Sequence, residues 1–225
     1  MRFFTGWYRK EKTWDEVAMR KKKDKKAAEG PEVVTGKFKI KPGKPAEVVS
    51  SELAYEVPLF KVFTEQVLEK GADKPVRREI IRHNGSVVIL AVDDSKKKDP
   101  LIVIERQYRH AAGQFLYEVP AGKVDAGEDR LAAAKRELIE ETGLRAKKWK
   151  ELARYFASPG FLGEWMQVYL AEGLTAGEAK PEPDERIEIF QVRLSELLRL
   201  IEAGEIRDGK TLVSVMLYAR TRKKK

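Results

Sequence analysis

The most informative absence in this sequence is cysteine, of which the chain has none. A chain without cysteine forms no disulfide, thiolate metal site or iron–sulfur cluster and has no cysteine nucleophile. Histidine is scarce as well: His83 and His110 are the only two, which argues against a histidine-rich zinc site. No run approaches the roughly 18 apolar residues of a membrane-spanning helix, and no secretory signal is recognisable. We therefore expect a cytoplasmic protein with no membrane contact.

The positive charge is concentrated near the N-terminus. The 225 residues carry a net charge of +9, of which residues 1–45 contribute +8 through 14 Lys and Arg against 6 Asp and Glu. We predict that residues 1–45 form a basic, flexible N-terminal arm. Because the remaining chain is nearly neutral, any contact with nucleic acid is expected only through this arm.

Beyond residue 45 the sequence alternates between strand-like and helical segments. Runs of β-branched, aromatic and aliphatic residues predict strands, and Asn84-Gly85 between two of them predicts a hairpin, because this pair favours the positive φ angles of a tight turn. Ser195 is expected to cap the N-terminus of a helix, and a last helix is expected from Thr211 to Arg220. Strands interleaved with a few helices predict an α+β sandwich.

The residues that can carry chemistry are concentrated in segment 128–142, which contains neither Gly nor Pro and is followed by Gly143, a typical helix C-cap. On a helix Glu137, Glu140 and Glu141 share one arc, and we expect the apolar stripe to face the core from the opposite side. Like charges one turn apart repel each other, so the cluster indicates either a solvated acidic face or a cation site. Hard divalent ions such as Mg²⁺ prefer oxygen ligands of this kind.

The full spacing of this region favours the cation site. Gly122 is followed after five residues by Glu128 and after seven more by Arg136-Glu137; an aliphatic residue, one residue, Glu140-Glu141, one residue, Gly143 and an aliphatic residue complete the pattern. Every defined position matches the Nudix box, so the sequence resembles a Nudix hydrolase. The flanking segments are similar to the ADP-ribose pyrophosphatase branch, and the likeness extends over residues 48–219. These segments are 77–85, 105–109, 118–122, 158–160 with Glu164, 184–188 and 204–211.

The resemblance implies a fold and an assembly. We expect residues 86–225 to form an α/β/α Nudix sandwich with a mixed sheet, and residues 46–85 to form a small N-terminal β region that serves dimerisation and substrate binding. In this family N-terminal strands are exchanged between two subunits that share each site, so a homodimer is expected. Residues 1–45 lie outside the likeness.

The resemblance also implies a reaction, the Mg²⁺-dependent hydrolysis of the diphosphate bond of ADP-ribose to AMP and ribose 5-phosphate, with Mn²⁺ as the other candidate metal. Glu140 and Arg136 are expected to take part in catalysis, with Arg136 orienting or neutralising the acidic cluster. The metal ligands implied by the match are the Ala121 carbonyl, Glu137, Glu140 and Glu141.

The general base is expected from a loop outside the box. By position we predict Glu185 for this role, with Asp184 and Glu188 as alternatives because the register of that loop is open. An ordinary loop carboxylate is the competing interpretation.

Four further residues match positions that contact substrate in this branch. Arg78 and Arg109 are expected to bind the diphosphate or the terminal ribose, since a guanidinium fork suits phosphate oxygens, although each could form a structural salt bridge instead. Glu118 and Glu164 are expected to bind the sugar or adenine end. The aromatic candidates for stacking on adenine, with core packing as the alternative, are Tyr55 and Phe60.

Two other functions stay open at the level of sequence. A pyrophosphatase for another nucleotide sugar, such as GDP-mannose, would use the same box. A Nudix-type sensor could instead bind nucleic acid through its basic arm. Sensors of this kind often lose box carboxylates, whereas this sequence retains all of them, which favours an enzyme.

Overall fold

Ten strands and three helices are present in the computed structural model, which describes residues 35–179 and 186–222. The strands are β1 (Glu47–Glu56), β2 (Phe60–Leu68), β3 (Val76–His83), β4 (Ser86–Asp93), β5 (Leu101–Arg109), β6 (Gln114–Glu118), β7 (Ala121–Lys123), β8 (Leu144–Ser158), β9 (Leu162–Ala176) and β10 (Glu188–Arg193). The helices are α1 (Arg130–Thr142), α2 (Leu194–Glu202) and α3 (Gly209–Arg222). Most of the predicted basic arm, residues 1–34, lies outside the described residues. Of the described residues, those from 44 onward belong to one structural unit and residues 35–43 to another.

Strand β4 explains how the core is built, because seven of its eight residues are fully or almost fully buried. Side chains alternate between the two faces of a strand, so its apolar run supplies two cores at once. Alternate residues beginning at Val87 pack against Leu138 of α1. The other set, beginning at Val88, packs against Leu197 of α2 and Val215 of α3. Helices therefore cover both faces of the sheet, which confirms the predicted α/β/α sandwich.

The sheet is mixed, and its strand order contradicts the predicted hairpin at Asn84-Gly85. The order is β1-β2-β3-β9-β4-β5-β10, with β6 paired to β5, β7 to β4 and β8 to β9. Strand β9 pairs in parallel with both β3 and β4 and thereby separates them. Gly85 has a φ of +92°, but Asn84 does not adopt a positive φ, so no two-residue hairpin turn forms. Instead the Trp165 ring lies 2.1 Å from where a Gly85 Cβ would stand, so that only glycine fits there.

The helix ends follow local sequence signals in one case and depart from them in another. The Asp129 side chain caps α1 by accepting a backbone N–H bond of 3.0 Å from Ala132, and Gly143 ends the helix with a φ of +71°, as predicted. Helix α2 begins one residue before Ser195, so the predicted cap is wrong. The Ser195 hydroxyl donates to the Asp99 carboxylate at 2.8 Å instead. No helix in the described ranges is long and apolar enough to cross a membrane.

Candidate active site

Strand β7 and helix α1 meet so closely that glycine is required between them. Gly122 pairs with Val87 of β4, and the strand passes directly under the Glu137 side chain. A Cβ on Gly122 would lie 2.0 Å from the carboxyl carbon of Glu137. The absence of a side chain at Gly122 therefore lets the Glu137 carboxylate lie against the backbone of β7.

Two of the three helix carboxylates are buried rather than projecting from the far side of α1. Glu137 is 9% exposed and Glu141 is 5% exposed, and they share the buried face with Ala133 and Ala134. The expectation that the acidic arc lies opposite the apolar stripe is wrong, because residues four and seven apart return to the same helix face. Only Glu140 is half-buried, at the edge of this face.

Arg136 is the centre of the acidic cluster. Its guanidinium donates to both carboxylate oxygens of Glu128, each at 3.0 Å, to Glu137 Oε1 at 2.8 Å and to Glu140 Oε2 at 2.9 Å. These bonds, the one to Glu128 foremost, hold the pKa of Arg136 above its ordinary value. The bonds between Arg136 and Glu128 also hold the pKa of Glu128 below its ordinary value. Arg136 thus neutralises carboxylates that would otherwise repel each other.

The carboxylates border an open cavity of about 440 Å³. Glu141 is tied to the cavity wall, since its Oε2 accepts the Ala121 N–H at 3.1 Å. Of the residues proposed from the sequence, the cavity brings six together: Arg109, Ala121, Glu137, Glu140, Glu141 and Glu164. Its other lining residues are Leu59, His83, Ser86, Gly122, Lys123, Met166 and Lys210.

A basic wall of the cavity is formed by Arg109 and Lys210, and both cations bind Glu118. Arg109 donates to Glu118 Oε1 at 2.9 Å through Nε and to Oε2 at 2.8 Å through Nη2. Lys210 Nζ donates to the same Oε2. Burial would raise the pKa of Glu118, but the bonds from Arg109 and the charge of Lys210 outweigh it and lower the pKa. Glu118 is 1% exposed and lies behind the wall, so it holds the cations rather than lining the cavity.

Other residues proposed to contact substrate lie apart from the cavity lining. Arg78 is exposed on β3 and pairs with Glu69 at 3.0 Å. The rings of Tyr55 and Phe60 lie 6.5 Å apart, centroid to centroid, and the lining residue from this region is Leu59.

The candidate general bases occupy the segment before β10. Glu185 and its alternative Asp184 lie outside the described residues. The second alternative, Glu188, begins β10 and accepts a 2.6 Å bond from Arg106 at the surface. Glu188 is therefore already engaged in an ion pair with a neighbouring strand.

Sequence reasoning missed the polar residues that complete the cavity. The Ser86 hydroxyl donates to Glu164 at 2.6 Å, while His83 Nδ1 accepts the Gly85 N–H at 2.9 Å and lies 3.9 Å from Glu164. His83 ends β3 and Ser86 begins β4, so both lie where the chain passes between these two strands. Lys210 sits in a segment already noted for its resemblance, residues 204–211, but no local pattern marks it as a cavity residue.

The acidic wall fits a divalent cation in its chemistry, although the side chains are now turned toward Arg136. Within the part of the chain that the structure describes, no three His, Asp or Glu side chains are arranged to hold a metal ion. In this arrangement Glu137 and Glu140 both accept bonds from Arg136 Nη1. The donors gathered here are nevertheless all oxygens, on a wall where the absence of a side chain at Gly122 admits the Glu137 carboxylate. Such a set suits a hard divalent ion.

Comparisons with known proteins agree with this geometry. The model of the NUDIX domain family matches residues 82–213. An ADP-ribose pyrophosphatase of Bacillus subtilis (strain 168) is 36% identical over 171 residues, which cover 75% of this chain and 90% of that protein. A GDP-mannose pyrophosphatase of Shigella flexneri serotype 5b is 35% identical over 153 residues, which cover 60% of this chain and 77% of that protein. The crystal structure of an ADP compounds hydrolase shares the fold with a TM-score of 0.65 at 20% identity, covering 81% of this chain and 97% of that one.

Proposed function

Because this chain belongs to the Nudix family, we propose that it is a pyrophosphohydrolase that splits the diphosphate bond of ADP-ribose with water. The products are AMP and ribose 5-phosphate. The similarity to an ADP-ribose pyrophosphatase, which extends over three quarters of the chain, supports this substrate.

The observation that carries the proposal is a cavity with one acidic and one basic wall. The acidic wall is formed by Glu137, Glu140 and Glu141, and the basic wall by Arg109 and Lys210. A diphosphate is an anion that repels an attacking oxygen, so its hydrolysis needs positive charge on the phosphate oxygens. The basic wall supplies this charge through Arg109, and the acidic wall supplies ligands for a metal cation.

We assign the divalent cation to the acidic wall and name Mg²⁺ as the metal, with Mn²⁺ as the alternative. The ligands are the Ala121 carbonyl and the carboxylates of Glu137, Glu140 and Glu141. When bound, the cation neutralises the diphosphate and lowers the pKa of a nearby water. The part of Arg136 is to limit the repulsion between Glu137 and Glu140, to both of which it donates, and to release Glu137 when the cation binds.

A carboxylate must still take a proton from the attacking water. We propose Glu185 for this step, with Asp184 as the nearest alternative, since both precede β10 in the segment that the family resemblance points to. Loss of such a base costs roughly 10²- to 10⁴-fold in rate. A substitution series over Asp184, Glu185 and Glu188 identifies it, because only one of the three should reduce kcat to that extent.

The sugar and adenine ends of the substrate are assigned to the side of the cavity that Glu164 lines. Glu164 lines that side and is oriented by the Ser86 hydroxyl, so its carboxylate can accept bonds from ribose hydroxyls. Arg78 is proposed to reach substrate from the N-terminal strands, and Tyr55 or Phe60 to stack on adenine.

A homodimer is proposed through the N-terminal strands β1–β3. Strand β1 is exposed along its whole length and, among the described residues, pairs only with β2. It presents large apolar side chains such as Val48, Leu53 and Tyr55, which are each about half exposed. A second subunit covering this strand would bury them. Sedimentation of the full chain tests this, with a dimer expected.

One alternative activity has an observation in its favour. A GDP-mannose pyrophosphatase is 35% identical, although the match covers less of this chain. Contact with nucleic acid is proposed only through residues 1–45, and a gel shift that disappears when these residues are deleted would support it.

The test is product analysis after incubating the full chain with ADP-ribose and Mg²⁺. We expect AMP and ribose 5-phosphate in equal amounts, no products in EDTA, and slower turnover of GDP-mannose. The matched control is Glu141→Gln, which keeps a side-chain oxygen for the Ala121 N–H but removes the charge. Products from Glu141→Gln at the wild-type rate, or the absence of products from the wild type, would contradict the proposal.

A further inference from the structure

Lys210 occupies an unusual position for a lysine, because it is only 8% exposed. It lies in the first turn of α3, where its ammonium bonds Glu118 and lies 3.2 Å from Asp208 Oδ1. Lysines are rarely buried this deeply without partners, since burying an ammonium costs several kcal/mol. The two carboxylates therefore compensate for its burial. Its position on the cavity wall places its charge near the site of a bound substrate.

The N-terminal turn of α3 is anchored to the strand end that carries Glu118. The Thr211 hydroxyl donates to Asp208 Oδ2 at 2.6 Å and accepts the buried Val119 N–H at 2.9 Å. Thr211 and Val119 are both completely buried. The bond between them fixes the distance from α3 to residue 119, so Lys210 and Glu118 are held opposite each other by the fold.

Glu118 is shared between two cations that reach it from different elements. Arg109 comes from the end of β5 and grips it with two bonds, while Lys210 comes from α3. The bonds that Arg109 donates to Glu118 are the main cause of its raised pKa, and the charge of buried Glu105, which lies opposite Glu118 in the β5–β6 register, also contributes. The Arg109 guanidinium is thus fixed by its surroundings, with its side chain 38% exposed toward the cavity.

A fixed guanidinium is useful to an enzyme that binds a diphosphate. The grip on Glu118 uses two of its five N–H donors, which leaves donors to face phosphate oxygens. If Glu118 had Arg109 as its sole partner, the charges of these two would cancel and the arginine would be drawn toward the buried carboxylate. Lys210 bonds the same Glu118 Oε2 as Arg109 Nη2, so the negative charge of Glu118 is divided between two cations and attracts Arg109 less strongly.

We propose that Lys210 is a positioning residue for substrate binding: acting through Glu118, it holds Arg109 on the cavity wall as a cation for the diphosphate. This inference rests on the proposed hydrolysis of a nucleoside diphosphate derivative and adds to it the device that orients the basic wall.

Lys210→Gln in the full chain tests the inference, because glutamine keeps an N–H for Glu118 but loses the charge. We expect roughly tenfold weaker binding of ADP-ribose by calorimetry in EDTA, and a KM raised by about the same factor with kcat within about threefold of wild type. Lys210→Arg, which retains the charge, should restore both values to within about threefold. An unchanged affinity in Lys210→Gln, or no restoration in Lys210→Arg, would overturn the assignment.

A double substitution separates positioning from direct contact. In an Arg109→Ala background, Lys210→Gln should cause no further loss of affinity for ADP-ribose, because Lys210 acts through that arginine. A second tenfold loss would mean that Lys210 touches the substrate itself and would overturn the inference.

Glu118→Gln is the second variant, for use if Lys210→Gln does not fold. It removes the negative charge that both cations contact, and it should also weaken the binding of ADP-ribose roughly tenfold. Unchanged or tighter binding would count against the inference. A crystal structure of Lys210→Gln or Glu118→Gln should show the Arg109 guanidinium displaced, and an unmoved guanidinium would again overturn it. If the wild type neither binds nor cleaves ADP-ribose, the proposed function fails, and the displacement of Arg109 still judges the positioning role.

Discussion

Substituting Gly122 by alanine should remove activity while leaving the fold intact. The backbone at Gly122 is not in the positive-φ region, so alanine suits its conformation. The new Cβ would lie 2.0 Å from the Glu137 carboxyl carbon. To reach an ordinary contact of 3.4 Å, that carboxyl must retreat by about 1.4 Å. Because the atom that moves is the end of a flexible side chain, the cost to stability is small.

The consequence for catalysis is much larger. A displacement of about 1 Å in a catalytic group can cost about 10²-fold in rate, so we expect kcat/KM for ADP-ribose to fall by about that factor. The Tm should stay within a few degrees of wild type. Gly160→Ala is the matched control, because an added Cβ meets nothing within 4 Å there. The reasoning fails if Gly122→Ala keeps wild-type kcat/KM, or if it loses activity only because it unfolds.

Three further predictions concern the network around the cavity. Without metal, Arg136→Gln should lower the free energy of unfolding, measured in urea, by about 2 kcal/mol, because Glu128, Glu137 and Glu140 then repel one another. Added Mg²⁺ should stabilise this variant more than it stabilises the wild type, and equal stabilisation of both proteins would count against this. Thr211→Val should cost about 1–3 kcal/mol because the buried Val119 N–H loses its acceptor, while Thr211→Ser should cost less; similar losses in both variants would contradict this role. Glu118 has a pKa held below its ordinary value of 4.5, so the stability it contributes is present above that value and is lost as the pH falls through the lowered pKa. Glu118→Gln should therefore flatten the acid limb of stability against pH, and an unchanged slope would refute this.

The parts of the structure that could be predicted from the sequence are those set by local geometry. The helix end at Gly143 and the grouping of Glu137 with Glu141 both follow from signals within one segment. At 100° per residue these two carboxylates also share a helix face with Ala134, and all three residues are buried.

The parts that could not be predicted depend on residues distant in the chain. The hairpin expected at Asn84-Gly85 was wrong because strand β9, which begins at Leu162, inserts between β3 and β4. Turn residues report only local preference and carry no information about a strand that arrives later. The glycine at position 85 is required by the nearby Trp165 ring, and not by a hairpin turn.

The basic wall shows the same limit within the site. Lys210 and Glu118 are 92 residues apart in sequence, and no periodicity links them. Sequence reasoning placed Glu118 in contact with substrate, whereas the structure places it behind Arg109 with almost no exposure. Only the folded chain shows which charged groups meet, and there Glu118 accepts bonds from both Arg109 and Lys210.

The most direct test of the account is anomalous diffraction from crystals of the full chain soaked with Mn²⁺. We predict a peak bounded by the Ala121 carbonyl, Glu137 and Glu141, with the Glu137 carboxylate turned away from Arg136. The absence of a peak at this wall, with Arg136 still bonded to Glu137, would contradict the central claim that these carboxylates gather a divalent cation for diphosphate hydrolysis.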